Sequence, residues 1–95
     1  MAKNYSERDL KNPTSLRILA IDNDPTVLEL IKNGCNRYSY EVMTFSETLP
    51  AVDVLRGSKD QFNLILVDVH MPEMDGHEFL RFVKQENIFA PVIGV

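Results

Sequence analysis

A single cysteine, Cys35, among 95 residues leaves no partner for an internal disulfide, so the chain is compatible with a reducing compartment. Set in an apolar helical pattern, that thiol reads as a small core residue. No apolar run approaches the roughly 18 residues needed to span a bilayer. The N-terminus is also too polar for a secretory signal. Both absences point to a soluble, intracellular protein with no membrane partner. Lys and Arg number 10 against 14 Asp and Glu, a net charge of −4, and no basic face is visible. Direct binding to the phosphate backbone of a nucleic acid is disfavoured on that ground. What remains is 44% hydrophobic and 25% charged, an ordinary globular composition. It allows one small domain with a thin core, and not two.

Residues 1–14 (MAKNYSERDLKNPT) mix charge, Asn and Pro without apolar periodicity and predict a flexible N-terminal arm, with the folded part over 15–95. From there, apolar runs of strand length alternate with segments of helical period. That pattern predicts βαβ units feeding a parallel sheet covered on both faces. The first strand is Leu16 to Ile21. A helix follows, with Leu28, Ile31 and Cys35 on one face and with Asp24 and Pro25 suited to its N-cap and first turn. A second strand covers Tyr40 to Phe45. The next helix is expected to start at Pro50 and to end at Gly57 as its C-terminal cap. Leu64 to Val67 (LILV) is continuously apolar, as a central strand buried on both faces should be. Beyond it lies a turn-rich loop, Val69 to Gly76, in which Asp75-Gly76 offers a position tolerant of positive φ. A helix with Phe79, Phe82 and Val83 on its inner face then leads to a fourth strand, Ala90 to Val95.

Two of these strands run into acids: the first into Asp22, Asn23 and Asp24, the third into Asp68. In an open α/β sheet the functional crevice lies at the carboxyl ends of the strands, so Asp22 and Asp68 should converge there. Neighbouring carboxylates repel one another unless a cation neutralises them, and hard oxygen donors at a small site suit Mg²⁺. Such a site accepts an anionic phosphoryl group while a carboxylate oxygen attacks in line. Asp24 has a purely structural reason to precede Pro25, as an N-cap, and stands second as a ligand candidate. His70 and His77 lack partners at ligand spacing and are not read as imidazole metal sites. Met71 and Met74 read as packing residues of the loop.

The stretch LILVDVHMPEMDG, residues 64–76, resembles the phosphoacceptor segment of response-regulator receiver domains, and RILAIDNDP, residues 17–25, resembles their acid-pocket strand. The similarity extends from Leu16 to Val95 and is greatest to plant type-B response regulators and related pseudo-response regulators. It implies a flavodoxin-like (CheY-like) doubly wound parallel sheet with strands in the order 2-1-3-4. It also implies a signalling module rather than an enzyme. By position, Asp68 would accept a phosphoryl group from a histidine-containing phosphotransfer protein. Asp22 would hold Mg²⁺, and the main-chain carbonyl of His70 would complete the coordination. Asn23 departs from the family, which places a second acid there, so the pocket should bind Mg²⁺ weakly. A nuclear location and cytokinin-type signalling are implied by the plant likeness alone.

The fifth strand, the last helices, the phosphate-sensing hydroxyl and the lysine of the family have no counterpart in these residues, so the expected fold is incomplete. An exposed apolar fourth strand then predicts self-association. A non-switching receiver fragment that only binds phosphorelay partners is the alternative reading. A third comes from Asp22, Asp24 and Thr26, which spell D-x-D-x-T as in haloacid-dehalogenase-like phosphohydrolases, with Asp22 as nucleophile. It leaves residues 64–76 unexplained.

Overall fold

Strand-length and helix-length runs alternate as the sequence predicts. The computed structural model describes residues 16–72 and 74–95; the arm predicted over residues 1–14 lies outside the described residues. In chain order the elements are β1 (Arg17–Ile21), α1 (Pro25–Arg37), β2 (Glu41–Phe45), α2 (Thr48–Gly57), β3 (Leu64–Val67), α3 (Gly76–Gln85) and β4 (Val92–Gly94). All strand pairs are parallel and the sheet order is β2-β1-β3-β4, the predicted 2-1-3-4.

Side-chain alternation sorts the sheet into two unequal faces. Leu19, Ile21, Ile65 and Val67 lie on the face covered by α2 and α3, in one cluster with Ala51, Leu55, Phe79 and Phe82. The opposite face carries Ile18 and Ala20 next to α1, whose buried residues are Leu28 and Cys35. Burial in this layer pushes the Cys35 thiol above its ordinary value of 9.0. β3 is not buried evenly on its two sides: Ile65 and Val67 are buried, Leu64 and Leu66 only half so. Among the described residues α1 is the one helix on that face, and it packs toward β1 and β2.

The register between β1 and β3 is held at both ends. Near the start, Asn63 N–H donates to Arg17 O at 2.7 Å and Arg17 N–H donates to Asn63 Oδ1 at 2.8 Å. At the other end Asp68 N–H donates to Ile21 O at 2.9 Å. A slip by one residue would move every side chain of β3 to the wrong face, so these terminal bonds reinforce what the core already selects.

Three expectations about helix ends and glycines are corrected as well. α2 starts at Thr48, two residues before Pro50, because the first N–H groups of a helix need no intrahelical acceptor and Pro is tolerated there. Gly57 is the last helical residue and not a left-handed cap; Ser58 closes the helix, its N–H donating to Leu55 O at 3.2 Å. Gly76 has no positive φ either and begins α3. The left-handed positions are Ser39 and Asn87, at φ 61° and 57°. Each follows a helix in a 6→1 and 5→2 pattern, with Tyr40 N–H on Cys35 O and Ile88 N–H on Val83 O.

Phe79 is fully buried in the cluster that joins α3 to the sheet, whereas Leu30 on α1 is 66% exposed. Phe79→Ala should therefore cost about 3–5 kcal/mol, and Leu30→Ala about 0.5 kcal/mol or less. Urea unfolding midpoints of the two variants check this, and equal midpoints would contradict the assigned core.

Candidate functional site

The carboxyl ends of β1 and β3 carry the site. Ile21 pairs with Val67, and one further step along the same register sets Asp22 beside Asp68. Adjacent strands run about 4.8 Å apart, so the two carboxylates share one rim of the sheet. Asp22 is buried, at 6% exposure, and its main chain continues the sheet by donating to Phe45 O at 3.0 Å. Its Oδ1 accepts from Asp24 N–H at 2.9 Å, which turns the chain from β1 toward α1. Asp68 is half-buried, and its Oδ1 accepts from His70 N–H at 3.0 Å. Each acid thus fastens the main chain two residues ahead of it, an Asx turn that fixes the side chain and the loop together.

Around this pair the other predicted residues separate into two groups. Asn23 is exposed at the β1–α1 turn, directly after the buried acid. His70 is exposed and is bonded to Asp68 through its main chain. Asp24 serves α1: its Oδ1 accepts from Thr26 N–H at 2.9 Å and its carbonyl accepts from Leu28 N–H at 3.2 Å. That is the N-cap role, with Pro25 in the first turn. Haloacid-dehalogenase-like chemistry asks this same carboxylate to serve as acid and base, and finds no support here. No three His, Cys, Asp or Glu side chains gather into a metal-holding group among the described residues. What the register brings together at this rim is the pair of carboxylates, Asp22 and Asp68.

The loop after β3 is anchored at its far end by features that the turn reading of Asp75-Gly76 does not contain. Asp75 caps α3: its Oδ1 accepts from Glu78 N–H at 2.9 Å while Asp75 N–H donates to Glu78 Oε1 at 3.1 Å. This capping box was legible as D-x-x-E ahead of an apolar helical run. Met71, at 4% exposure, pins the loop into the core, and Met74 packs against the same cluster. Between α3 and β4, beside the loop, lies an open cavity of about 410 Å³ lined by Val67, Val69, His70, Leu80, Val92 and Gly94. Its signal in the sequence is weak: a glycine inside a predicted strand marks a close approach without saying of what.

The response regulator receiver domain family matches residues 18–95. The rice two-component response regulator ORR24 (Oryza sativa subsp. indica) is 45% identical over 81 residues, 85% of this chain and 13% of that protein. ARR11 from Arabidopsis thaliana is 39% identical over 82 residues, 86% of this chain and 16% of its own length. This chain thus spans a small fraction of these relatives. Among solved structures, a receiver domain protein from Clostridium thermocellum superposes with a TM-score of 0.77 at 26% identity, over 83% of this chain and 63% of that one. The chemotaxis response regulator CheY4 of Vibrio cholerae gives 0.71 at 27% identity, over 84% and 67%. With its strand order and its sequence in agreement, the chain belongs to the response regulator receiver domain family.

Proposed function

We propose that this chain accepts a phosphoryl group on Asp68 from a histidine-containing phosphotransfer protein, as a receiver in a His-to-Asp phosphorelay. The observation that carries the proposal is the register setting Asp68 beside the buried Asp22. A carboxylate oxygen of Asp68 attacks phosphorus in line. The bond from phosphorus to the donor's imidazole nitrogen breaks, its electron pair returns to the ring, and the ring takes up a proton. With Oδ1 held by His70 N–H, the other oxygen of Asp68 is the one presented for attack.

The donor chemistry fits Mg²⁺. Asp22, Asp68 and the main-chain carbonyl of His70 offer hard oxygens, few enough to leave several octahedral positions to water. When bound, the ion offsets charge on the transferring oxygens. Asn23 contributes an amide where a carboxylate would add a negative charge, so binding is weak. That residue also favours a second reading, in which the chain engages phosphorelay partners without being phosphorylated. A further proposal concerns β4. It is an outer strand of the sheet, uncharged throughout, with Ile93 48% exposed, and it would pair with a second copy.

Acetyl phosphate and Mg²⁺ should add one phosphate to the folded protein, labile to hydroxylamine and absent in Asp68→Asn; mass spectrometry decides. Label that persists in Asp68→Asn and disappears in Asp22→Asn would refute the assignment, and no label with retained partner binding would favour the second reading. Asn23→Asp should tighten Mg²⁺ about tenfold, since one added charge near the ion is worth on the order of 1.4 kcal/mol after desolvation. Titration calorimetry showing unchanged affinity would remove Asn23 from the pocket. For β4, sedimentation of the 95-residue chain should show mass rising with concentration, with Ile93→Lys remaining monomeric. A wild-type chain that stays monomeric throughout rules the pairing out.

A further inference from the structure

Each of the four glycines can be asked what an added Cβ would touch. At Gly34 and Gly57 it would meet nothing within 4 Å. At Gly76 it would lie 3.3 Å from Val69 Cγ1 and 3.4 Å from Val69 Cβ, and at Gly94 it would lie 2.7 Å from Val69 Cγ1. The two crowded glycines, one opening α3 and the other closing β4, are crowded by the same side chain. Val69 is the residue between Asp68 and His70.

Both main-chain hydrogen bonds of Val69 are longer than those made by the neighbouring N–H groups. Asp68 N–H lies 2.9 Å from Ile21 O and His70 N–H lies 3.0 Å from Asp68 Oδ1. Val69 N–H reaches Val95 O at 3.4 Å, and its carbonyl receives Gly76 N–H at 3.3 Å. Bonds at the long end of the range are weak. The side chain of Val69 is 38% exposed toward the cavity, yet its inner side lies against Gly76 and Gly94, a contact that adds to these two long hydrogen bonds in placing residue 69. A β-branched side chain, restricted at χ1, is suited to transmit that placement to its own backbone.

We propose that Val69 is a positioning residue of the acidic pocket: resting against Gly76 and Gly94, it sets where the main chain of His70 lies relative to Asp68 and links the pocket to α3 and β4. The part of this that concerns Mg²⁺ rests on the reading of Asp68 as phosphoacceptor; the mechanical link does not. Nothing in the D-x-H sequence marks Val69, because what singles it out is the absence of side chains on two segments remote from it in the chain.

The test places a methyl group against Val69 from the far side. In Gly94→Ala, amide NMR signals of Val69 and His70 should shift, and hydrogen exchange at the His70 amide should quicken. Mg²⁺ affinity should fall roughly tenfold, the scale on which supporting residues act on a metal site. Val69→Ala added to Gly94→Ala makes room again and should return the exchange rate and the affinity toward wild type. Gly57→Ala, where the space is open, should leave the His70 signals unmoved. Unchanged His70 signals in folded Gly94→Ala would overturn the proposal, as would a double variant no closer to wild type than the single one. If wild-type protein binds no Mg²⁺ that Asp68→Asn removes, the pocket reading fails, and the His70 amide readout still decides the role of Val69.

Discussion

The register between β1 and β3 is the constraint on which the rest depends. It aligns residues 46 apart in sequence, from Ile18 with Leu64 to Ile21 with Val67, and so sets Asp22 beside Asp68. Packing selects this alignment because a one-residue shift would turn Ile65 and Val67 out of the core and bring half-buried Leu64 and Leu66 in. Hydrogen bonds from Asn63 at one end and Asp68 at the other then hold it. Chemistry at the rim is thus a consequence of apolar packing below it. Neither acid needs the other in order to be placed.

From that alignment the pocket is completed by local turns. Asp22 holds Asp24 N–H and Asp68 holds His70 N–H, so each acid orients its own loop, and the loops depart toward helices capped by Asp24 and Asp75. The first cap and the first acid are neighbours but do separate work, which is why a carboxylate-rich stretch such as Asp22-Asn23-Asp24 does not amount to a three-acid metal site. Farther from the rim, Glu86 lies 3.2 Å from Lys59 and 3.8 Å from Arg56, joining the end of α2 to the end of α3. Such solvent-accessible pairs contribute little to stability. The buried Phe79 and Phe82 fix how α3 sits on the sheet.

Much of this was legible in the residues. LILV bounded by Asn63 and Asp68 marks the ends of β3, because four apolar residues between polar ones are strand length and too short for a helix. Asp24-Pro25 marks the start of α1, and the resemblance of residues 64–76 to a receiver segment agrees with the family to which the chain belongs. The glycines were not legible. Local reasoning reads Gly57 and Gly76 through conformational freedom, whereas Gly57 is ordinary helix and Gly76 and Gly94 are close approaches to Val69. Tertiary crowding leaves no local mark. The left-handed residues fell instead on Ser39 and Asn87, where helix-closing hydrogen bonds and the burial of Ile88 override the preference for glycine. The uneven burial of β3 was hidden for a related reason, since an apolar run looks the same whether one face is covered or both.

Under the proposed function the side chains at 22 and 68 face a common ion. Manganese, a paramagnetic stand-in for Mg²⁺ at oxygen sites, tests it directly through the broadening of amide signals. Broadening should be strongest at residues 22–24 and 68–70 together, and slight at Arg17 and Asn63 on the opposite end of the sheet. Broadening confined to one of the two strand tips, or spread over the acidic surface without a centre, would contradict the account.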